Sequence, residues 1–215
     1  SAASDVYKRQ NQKLGTQMKA TGEVMSIGRT FEESLLKAIR SLETGVFHLY
    51  MEKFDEKTRE ELLSYIKAGT DDRIFAVAQL LRLGCNVQQI AFETKIDGFF
   101  LEKMKKIIEM ENMLKANPWN RDVLHEAKRG GFSDRAVAWL WNTDEDTVFR
   151  IRKEMHLFPV YKMIDTCASE FDSYVPYFYS TYEEENESIA EDRKKILVLG
   201  SGPIRIGQGV EFDYS

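Results

Sequence analysis

The pattern of apolar and polar positions divides the chain into segments of different predicted structure. Over residues 52–157, apolar side chains recur every three or four positions, which is the spacing of one helix face. Segments rich in aromatic residues and proline follow at 157–161 and 174–182 and are predicted to be extended. The run at 196–199 is apolar throughout, which is typical of a strand buried in a parallel sheet. The pattern predicts a mainly α chain with a central all-helical domain.

Capping residues and glycines mark where the predicted helices begin and end. Thr30 and Glu33 have the spacing of a capping box, in which Thr30 caps the helix and Glu33 reaches back. Asp55, Asp71 and Asp97 are the predicted starts of further helices. The predicted apolar faces comprise positions 35, 38, 39 and 42 in the first helix and positions 100, 104, 107, 108, 111 and 114 in the longest. The predicted breaks between the later helices lie at 69, 84, 97–98, 117–118, 130–131 and 142–143.

The composition is that of a folded protein with no strong preference for polyanions. Of the 215 residues, 43% are hydrophobic, which is enough for a packed core and argues against intrinsic disorder. The formal net charge of −5 argues against a general nucleic-acid binder, because such domains usually carry an excess of Lys and Arg. No apolar run approaches the roughly 18 residues of a membrane-spanning helix. We therefore expect a cytoplasmic protein.

Candidate metal and cofactor ligands are few and widely separated. Cys85 and Cys167 form no Cys-x-x-Cys motif, so neither a zinc site nor a disulfide framework is indicated. His48, His125 and His156 lack the spacing of metal ligands, and we interpret them as surface or capping residues. Glycines at 200, 202, 207 and 209 do not fit the Gly-x-Gly-x-x-Gly fingerprint of dinucleotide binding. A tight turn from strand to helix that binds no ligand is the simpler interpretation of these glycines.

A pair of predicted helices at 133–141 and 144–155 has the outline of a helix-turn-helix. Arg150, Arg152 and Lys153 in the second helix could face phosphates. However, residues 121–162 contain eight basic and seven acidic residues, and the second helix begins with three acids. DNA recognition is therefore weakly supported, but a free-standing helical module that binds DNA or protein remains the alternative function.

Three long strings of residues resemble one known family. Residues 200–214 read GSGPIRIGQGVEFDY, residues 14–30 read LGTQMKATGEVMSIGRT, and EESLLKAIR follows at 32–40. Residues 159–171 read PVYKMIDTCASEF, and YSTYEEE follows at 179–185. In sequence, order and separation these strings are similar to parts of the large subunit of carbamoyl-phosphate synthetase. The resemblance extends from residue 11 to residue 215.

The resemblance implies that the chain divides into four parts. Residues 1–10 fit neither the family nor any element, and we interpret them as a foreign or unassigned leader. The other parts are the C-terminal end of the first, carboxyphosphate-forming synthetase half at 11–43, a helical oligomerisation domain with an extended linker at 44–187, and the start of the second, carbamoyl-phosphate-forming half at 188–215. The last part would supply the first strand and turn of an α/β pre-ATP-grasp domain.

The resemblance also implies the activity of the parent enzyme. That enzyme is an ATP-dependent carbon–nitrogen ligase that makes carbamoyl phosphate from bicarbonate, ammonia and two ATP, for arginine and pyrimidine biosynthesis. A glutaminase small subunit supplies the ammonia from glutamine, and ATP is used with Mg²⁺ or Mn²⁺ and with K⁺. The sequence lacks both ATP-grasp modules. We therefore expect it to contain no catalytic, cofactor-binding or metal-binding residues and to be inactive alone.

Gly209 and Glu211 are the candidate site residues that the resemblance provides, as walls of an internal tunnel for carbamate. A glycine would leave the lumen open, and a carboxylate could line a polar passage. Alternatively, Glu211 only begins the helix after the loop, where the helix dipole favours an acid. The helical domain is expected to self-associate, and no nucleic-acid or membrane partner is expected.

Overall fold

The structure is a computed structural model that describes residues 24–42, 44–164, 177–189 and 192–197. Within these residues the chain forms eight α-helices and two short strands, which confirms the predicted mainly α fold. In chain order they are α1 (Phe31–Ser41), α2 (Arg59–Ile66), α3 (Arg73–Arg82), α4 (Val87–Thr94), α5 (Gly98–Ala116), α6 (Arg121–Arg129), α7 (Asp134–Trp141), α8 (Glu145–Glu154), β1 (Val160–Met163) and β2 (Phe178–Thr181). The six predicted breaks fall at the junctions between consecutive helices.

The described residues belong to two units. Unit 1 comprises residues 49–108, and unit 2 comprises the described residues within 24–48 and 109–197. Helix α5 contributes its first part to unit 1 and its last part to unit 2.

Unit 1 contains a 3₁₀ turn at Glu52–Phe54 and helices α2, α3 and α4. The Thr58 hydroxyl caps α2 by accepting from the Glu61 N–H at 3.3 Å, and the Glu61 carboxylate accepts from the Thr58 N–H at 2.8 Å. The predicted helix start at Asp55 is wrong. Asp55 follows the 3₁₀ turn, and its carboxylate accepts the Tyr50 hydroxyl at 2.5 Å instead of capping a helix.

The core of unit 1 is formed by apolar side chains from all of its helices. The largest side chains that are fully buried are those of Leu49, Phe54, Leu62, Ile66, Leu80, Ile90, Leu101 and Ile107. Burying a side chain of this size stabilises the fold by about 1.5–3 kcal/mol relative to leaving it exposed. Phe100, which is predicted to lie on the core face of α5, is instead 44% exposed, whereas its neighbour Leu101 is fully buried.

Helix α1 belongs to unit 2, and its buried face shares only Ile39 with the predicted one. Glu33, Leu36 and Ile39 are buried, whereas Leu42 is 37% exposed. Positions 33, 36 and 39 are three residues apart, so they lie along one side of the helix. This side of α1 was not predicted to be buried, because it includes the Glu33 carboxylate and buried faces are expected to be apolar.

The N-terminus of α1 explains how this carboxylate can be buried. The Thr30 hydroxyl accepts from the Glu33 N–H at 3.2 Å, which confirms the predicted cap. The Glu33 carboxylate accepts from the Arg29 N–H at 2.6 Å, rather than from the Thr30 N–H as a capping box requires. It also lies 2.8 Å from Lys37 Nζ. Glu33 is thus satisfied on two sides, and the predicted capping box is only half formed.

Gly131 marks a close approach between α1 and the turn joining α6 to α7. Its φ is +89°, and a Cβ built on it would lie 2.7 Å from the Cα of Glu33. Arg40 Nη1 donates to the Gly131 carbonyl oxygen at 2.8 Å and holds the two segments together. Only glycine combines this φ with this distance.

The two strands form a small antiparallel ribbon in unit 2, with Val160 opposite Thr181. The predicted extended segments are confirmed at residues 160–161 and 178–181, which lie in the two strands. The Glu187 carboxylate accepts from the Met163 N–H at 2.7 Å, and the Glu187 N–H donates to the Tyr161 carbonyl at 2.9 Å. The acidic segment at 183–187 therefore covers an edge of β1.

We expect Gly131→Ala to destabilise the protein more than Gly45→Ala. Both glycines have positive φ, for which a residue with a Cβ pays roughly 1–2 kcal/mol. Around Gly45 no heavy atom of the described residues lies within 4 Å of the added Cβ, whereas at Gly131 the Cβ would collide with the α1 backbone. Urea denaturation of both variants measures the difference, and equal losses in the free energy of unfolding would contradict the close approach.

Candidate functional site

The site residues predicted from the resemblance lie outside the described part of the chain. Gly209 and Glu211 fall within 198–215, so their tunnel role stays a prediction. Of the predicted strand at 196–199, Ile196 and Leu197 are described, and both are exposed. Among the described residues, no group of three or more His, Cys, Asp or Glu side chains could hold a metal ion. The features that the structure does reveal are polar clusters and surfaces.

Three charged side chains from three helices meet inside unit 2. Lys128 lies near the end of α6, Asp134 is the first residue of α7, and Arg152 lies near the end of α8. Lys128 Nζ donates to Asp134 Oδ1 at 2.8 Å. Arg152 donates to the same carboxylate from Nε at 3.1 Å and from Nη2 at 2.9 Å. The side chains of Lys128, Asp134 and Arg152 are only 6%, 12% and 8% exposed, so this is a buried ionic network.

The local sequence explains why these side chains meet. Helix α6 ends at Arg129 with Gly130 as its C-cap, and Ser133 caps α7 by accepting from the Ala136 N–H at 3.1 Å. Asp134 therefore begins a new helix six residues after Lys128, in a first turn where an acid suits the helix dipole. Arg152 Nη1 also donates to the Leu157 carbonyl at 2.9 Å, just beyond the end of α8.

Burial and pairing act in opposite directions on the Asp134 carboxyl. Burial acts to raise the pKa of Asp134, but the hydrogen bond from Arg152 and the charge of Lys128 outweigh it and hold the pKa below its usual range. Burial lowers the pKa of Lys128 despite the attraction of Asp134, and the charges of Arg152 and Arg40 add to that effect. One carboxylate, that of Asp134, thus balances the charges of two buried cations, Lys128 and Arg152.

The strand ribbon contacts this network through Tyr182, the residue after β2. The Tyr182 ring centroid lies 5.1 Å from Lys128 Nζ and 5.8 Å from the Arg152 guanidinium carbon. Such cation–π contacts contribute about 0.5–2 kcal/mol. Burial raises the pKa of the Tyr182 hydroxyl to about 12, so the ring is neutral at physiological pH. We call Lys128, Asp134, Arg152 and Tyr182 the charged cluster.

A second buried polar pair in unit 2 consists of His48 and Glu111. Both side chains are essentially inaccessible to solvent, and His48 Nε2 lies 2.9 Å from Glu111 Oε1. The His48 ring packs against Phe132, with the centroids 4.9 Å apart. The interpretation of His48 as a surface or capping residue is therefore wrong. The signal that could have predicted this pair is Glu111, an acid on the apolar face of α5, because buried acids are nearly always paired.

The helix pair α7 and α8 matches the predicted outline of a helix-turn-helix, but of the three cations predicted to face phosphates only Arg150 and Lys153 are exposed. Asp144 caps α8 by accepting from the Thr147 N–H at 2.7 Å, so the would-be recognition helix begins with acids. Arg152 is turned inward onto Asp134 and cannot reach a phosphate. Lys153 Nζ lies 5.2 Å from the Phe149 ring centroid. This arrangement argues against the DNA-binding alternative.

Exposed phenylalanines are a feature of unit 1. Phe92 in the last turn of α4 is 71% exposed, and Phe99 and Phe100 in the first turn of α5 are 58% and 44% exposed. The rings of Phe99 and Phe100 meet edge to face, with centroids 5.4 Å apart. Lys95 Nζ lies 4.3 Å from the Phe92 centroid, and Lys103 Nζ lies 5.5 Å from that of Phe99. We call Phe92, Phe99 and Phe100 the aromatic edge.

The fold and these features define a mainly helical module with buried polar anchors and an exposed aromatic surface. Comparison with known families gives two matches. Residues 23–156 match the family described as "Carbamoyl-phosphate synthetase large chain, oligomerisation domain", and residues 192–215 match "Carbamoyl phosphate synthase preATP-grasp domain". The first match covers more than half of the sequence. The chain belongs to the carbamoyl-phosphate synthetase large-chain family, which confirms the resemblance and makes its parent a ligase.

Among the described residues, no helix combines the length and the apolar character needed to cross a bilayer.

We expect Asp134→Asn to destabilise unit 2 strongly. A neutral amide cannot balance Lys128 and Arg152, and removing one partner from a buried ion pair typically costs about 3–5 kcal/mol. The control is Asp122→Asn, because the Asp122 side chain is 91% exposed and its loss should change the free energy of unfolding little. Urea denaturation of both variants measures the difference, and similar effects would contradict the account.

The same variant should change the acid transition. The pKa of Asp134 is lower in the folded protein than in the unfolded chain, so its stabilisation is complete above the unfolded pKa and is lost as pH falls through the folded pKa. As the pH is lowered below the usual aspartate range, the free energy of unfolding of the wild type should therefore decrease more steeply than that of the Asp134→Asn variant.

Proposed function

We propose that this chain serves the large subunit of a glutamine-dependent carbamoyl-phosphate synthetase, as a self-associating helical domain that connects the first synthetase half to the second. The observation that carries the proposal is the order of the two family matches. The oligomerisation-domain match at 23–156 comes first, and the preATP-grasp match at 192–215 follows it on the same chain.

The parent enzyme in this proposal makes carbamoyl phosphate from bicarbonate, ammonia released from glutamine, and two ATP. A glutaminase small subunit is its partner, ATP is used with Mg²⁺ or Mn²⁺ and with K⁺, and the product enters arginine and pyrimidine biosynthesis in the cytoplasm. The residues of this chain add no chemical step of their own, so the chain alone is inactive. Gly209 and Glu211 stay candidates for the tunnel wall.

The division of the chain follows from the same proposal. Residues 11–43 end the first half, residues 44–187 form the helical domain and its linker, and residues 188–215 begin the second half, while residues 1–10 stay an unassigned leader. The match at 23–156 begins before the boundary at 43, so α1 is common to the proposed first half and to the matched domain.

The contacts of the ribbon in unit 2 support the connecting role. Tyr182 contacts Lys128 and Arg152 within the charged cluster, and Lys162 Nζ donates to Glu187 at 3.1 Å. Arg129 of α6 lies 3.8 Å from Glu183. The segment from which the chain runs on towards residue 192 is therefore held against helices α6 and α8. A fixed exit gives the following domain a defined starting point.

The solution mass of the chain tests the self-association in this proposal. Each copy weighs 24.9 kDa. Light scattering coupled to size-exclusion chromatography should give a mass of at least two copies at about 100 µM and a falling mass on dilution, because association follows mass action. A mass of one copy at every concentration would contradict self-association.

The large subunit that carries these residues provides a separate test of the enzymatic part. With the glutaminase subunit, glutamine, bicarbonate and Mg²⁺-ATP, it should form carbamoyl phosphate with consumption of two ATP per product. A large subunit that consumes no ATP under these conditions would contradict the assigned reaction without affecting the self-association.

A further inference from the structure

We propose that Lys37 of α1 is a positioning residue that fixes two segments of unit 2 beside each other: residues 24–30, which we call the entry segment because they lead into α1, and strand β2 of the ribbon. The inference rests on the proposed function, in which residues 11–43 end the first synthetase half and residues 188–215 begin the second. Lys37 then holds the chain that leaves the first half against the ribbon from which the chain runs on to the second.

The Lys37 ammonium group contacts three acceptors in three different segments. Nζ donates to the Ile27 carbonyl oxygen at 2.9 Å and to the Ser180 carbonyl oxygen at 2.6 Å. It also lies 2.8 Å from Glu33 Oε1. An ammonium group has three N–H donors, so these three contacts use all of them. Because both carbonyl oxygens bind the same nitrogen atom, the entry segment and β2 are held within a few ångströms of each other.

Glu33 fixes the entry segment to α1 at a further point. Its Oε2 accepts from the Arg29 N–H at 2.6 Å, while its Oε1 faces Lys37. The Glu33 side chain is only 2% exposed, so water competes little for these contacts. The Ser26 hydroxyl donates to the Ser34 carbonyl oxygen at 2.7 Å and provides another contact. The path of the entry segment is therefore determined by α1.

Side chains of the entry segment and of the ribbon also interact with each other. The Tyr179 ring centroid lies 5.6 Å from Lys37 Nζ. The pKa of the Arg29 guanidinium is raised above its usual value, first by a hydrogen bond with Tyr179 and then by the charge of Glu183, which follows β2. These contacts add to the main-chain contacts of Lys37. Since the latter involve carbonyl oxygens, Lys37 constrains the paths of the two segments rather than their side chains.

The consequence for the proposed reaction concerns carbamate, which the first half forms with one ATP and the second half phosphorylates with another. Carbamate that escapes reacts with water to give bicarbonate and ammonia, so the ATP used to form it is wasted. A misplacement of about 1 Å can slow an enzymatic step by about 100-fold. If Lys37 sets the path of the chain between the halves, its loss should slow the use of carbamate and allow more of it to escape.

The test measures how much ATP the large subunit, with its glutaminase subunit, consumes per carbamoyl phosphate formed. Lys37→Met keeps the apolar stem but has no donor, so the ratio should rise from two by at least about twofold. The ratio compares two quantities from the same active molecules, so a loss of folded enzyme alone does not change it. A ratio that stays at two in this variant would overturn the inference.

Lys67→Met is the matched control. Lys67 Nζ lies 3.2 Å from Glu93 Oε2, so this lysine also pairs with a glutamate. It belongs to unit 1, whereas the entry segment and the ribbon belong to unit 2. The ratio should stay at two in this variant. A rise equal to that of Lys37→Met would mean that the loss of any lysine–glutamate pair uncouples the enzyme, which would overturn the specific role of Lys37.

Lys37→Arg provides the test if Lys37→Met does not fold. Arginine keeps a positive charge beside the buried Glu33 carboxylate. Its longer, planar guanidinium group cannot place its donors as the compact ammonium group does, so the ribbon should move away from α1. The ratio should therefore rise in this variant too. If Lys37→Met does not fold, a ratio of two for Lys37→Arg overturns the inference.

Amide hydrogen exchange of the 215-residue chain separates the inference from the proposed function. In Lys37→Met, the Arg29 amide and the amides of β2 should exchange at least about 10-fold faster than in the wild type, as expected when a hydrogen bond from a charged donor is lost. Unchanged exchange in either segment would overturn the inference. A wild-type large subunit that forms no carbamoyl phosphate would instead overturn the proposed function, and the exchange rates would still decide whether Lys37 positions the two segments.

Discussion

Asp134 places one negative charge between two buried cations, and the arrangement of unit 2 depends on that placement. Lys128 and Arg152 come from the ends of two different helices and could not remain charged inside the protein without a partner. A buried ion pair adds little stability compared with apolar packing, but the loss of one partner is costly. The carboxylate therefore determines which helix ends meet, and Tyr182 extends the same arrangement to the ribbon.

The two units contribute different properties to the proposed function. Unit 2 has its charges inside, where the charged cluster and the His48–Glu111 pair hold helices and ribbon in a defined arrangement. Unit 1 has a largely apolar core, in which the buried Asp72 carboxylate is held by Lys53, Tyr65 and Thr70. Internal polar anchors suit a domain that fixes the path of the chain.

The sequence predicts the parts of this fold that follow from local chemistry. Helix breaks were predictable because glycine and helix-capping residues act within a few positions, and Thr30 was predictable as a cap for the same reason. The start at Asp55 was wrong because Thr58 forms the complete capping box instead. Glu111 on an apolar helix face indicated a buried acid, but its partner His48 could not be identified from the sequence, since the two residues are 63 positions apart. Pairing over such a separation depends on how the helices pack.

The proposed connecting role combines self-association of the helical domain with a fixed exit of the chain through the ribbon. Amide hydrogen exchange, measured on the 215-residue chain at low and high concentration, tests this most directly. We predict that protection increases with concentration in part of the helices, while protection of β1 and β2 stays constant because the ribbon is held within one chain. Protection that rises in the ribbon, or that changes with concentration in none of the helices, would contradict the proposal.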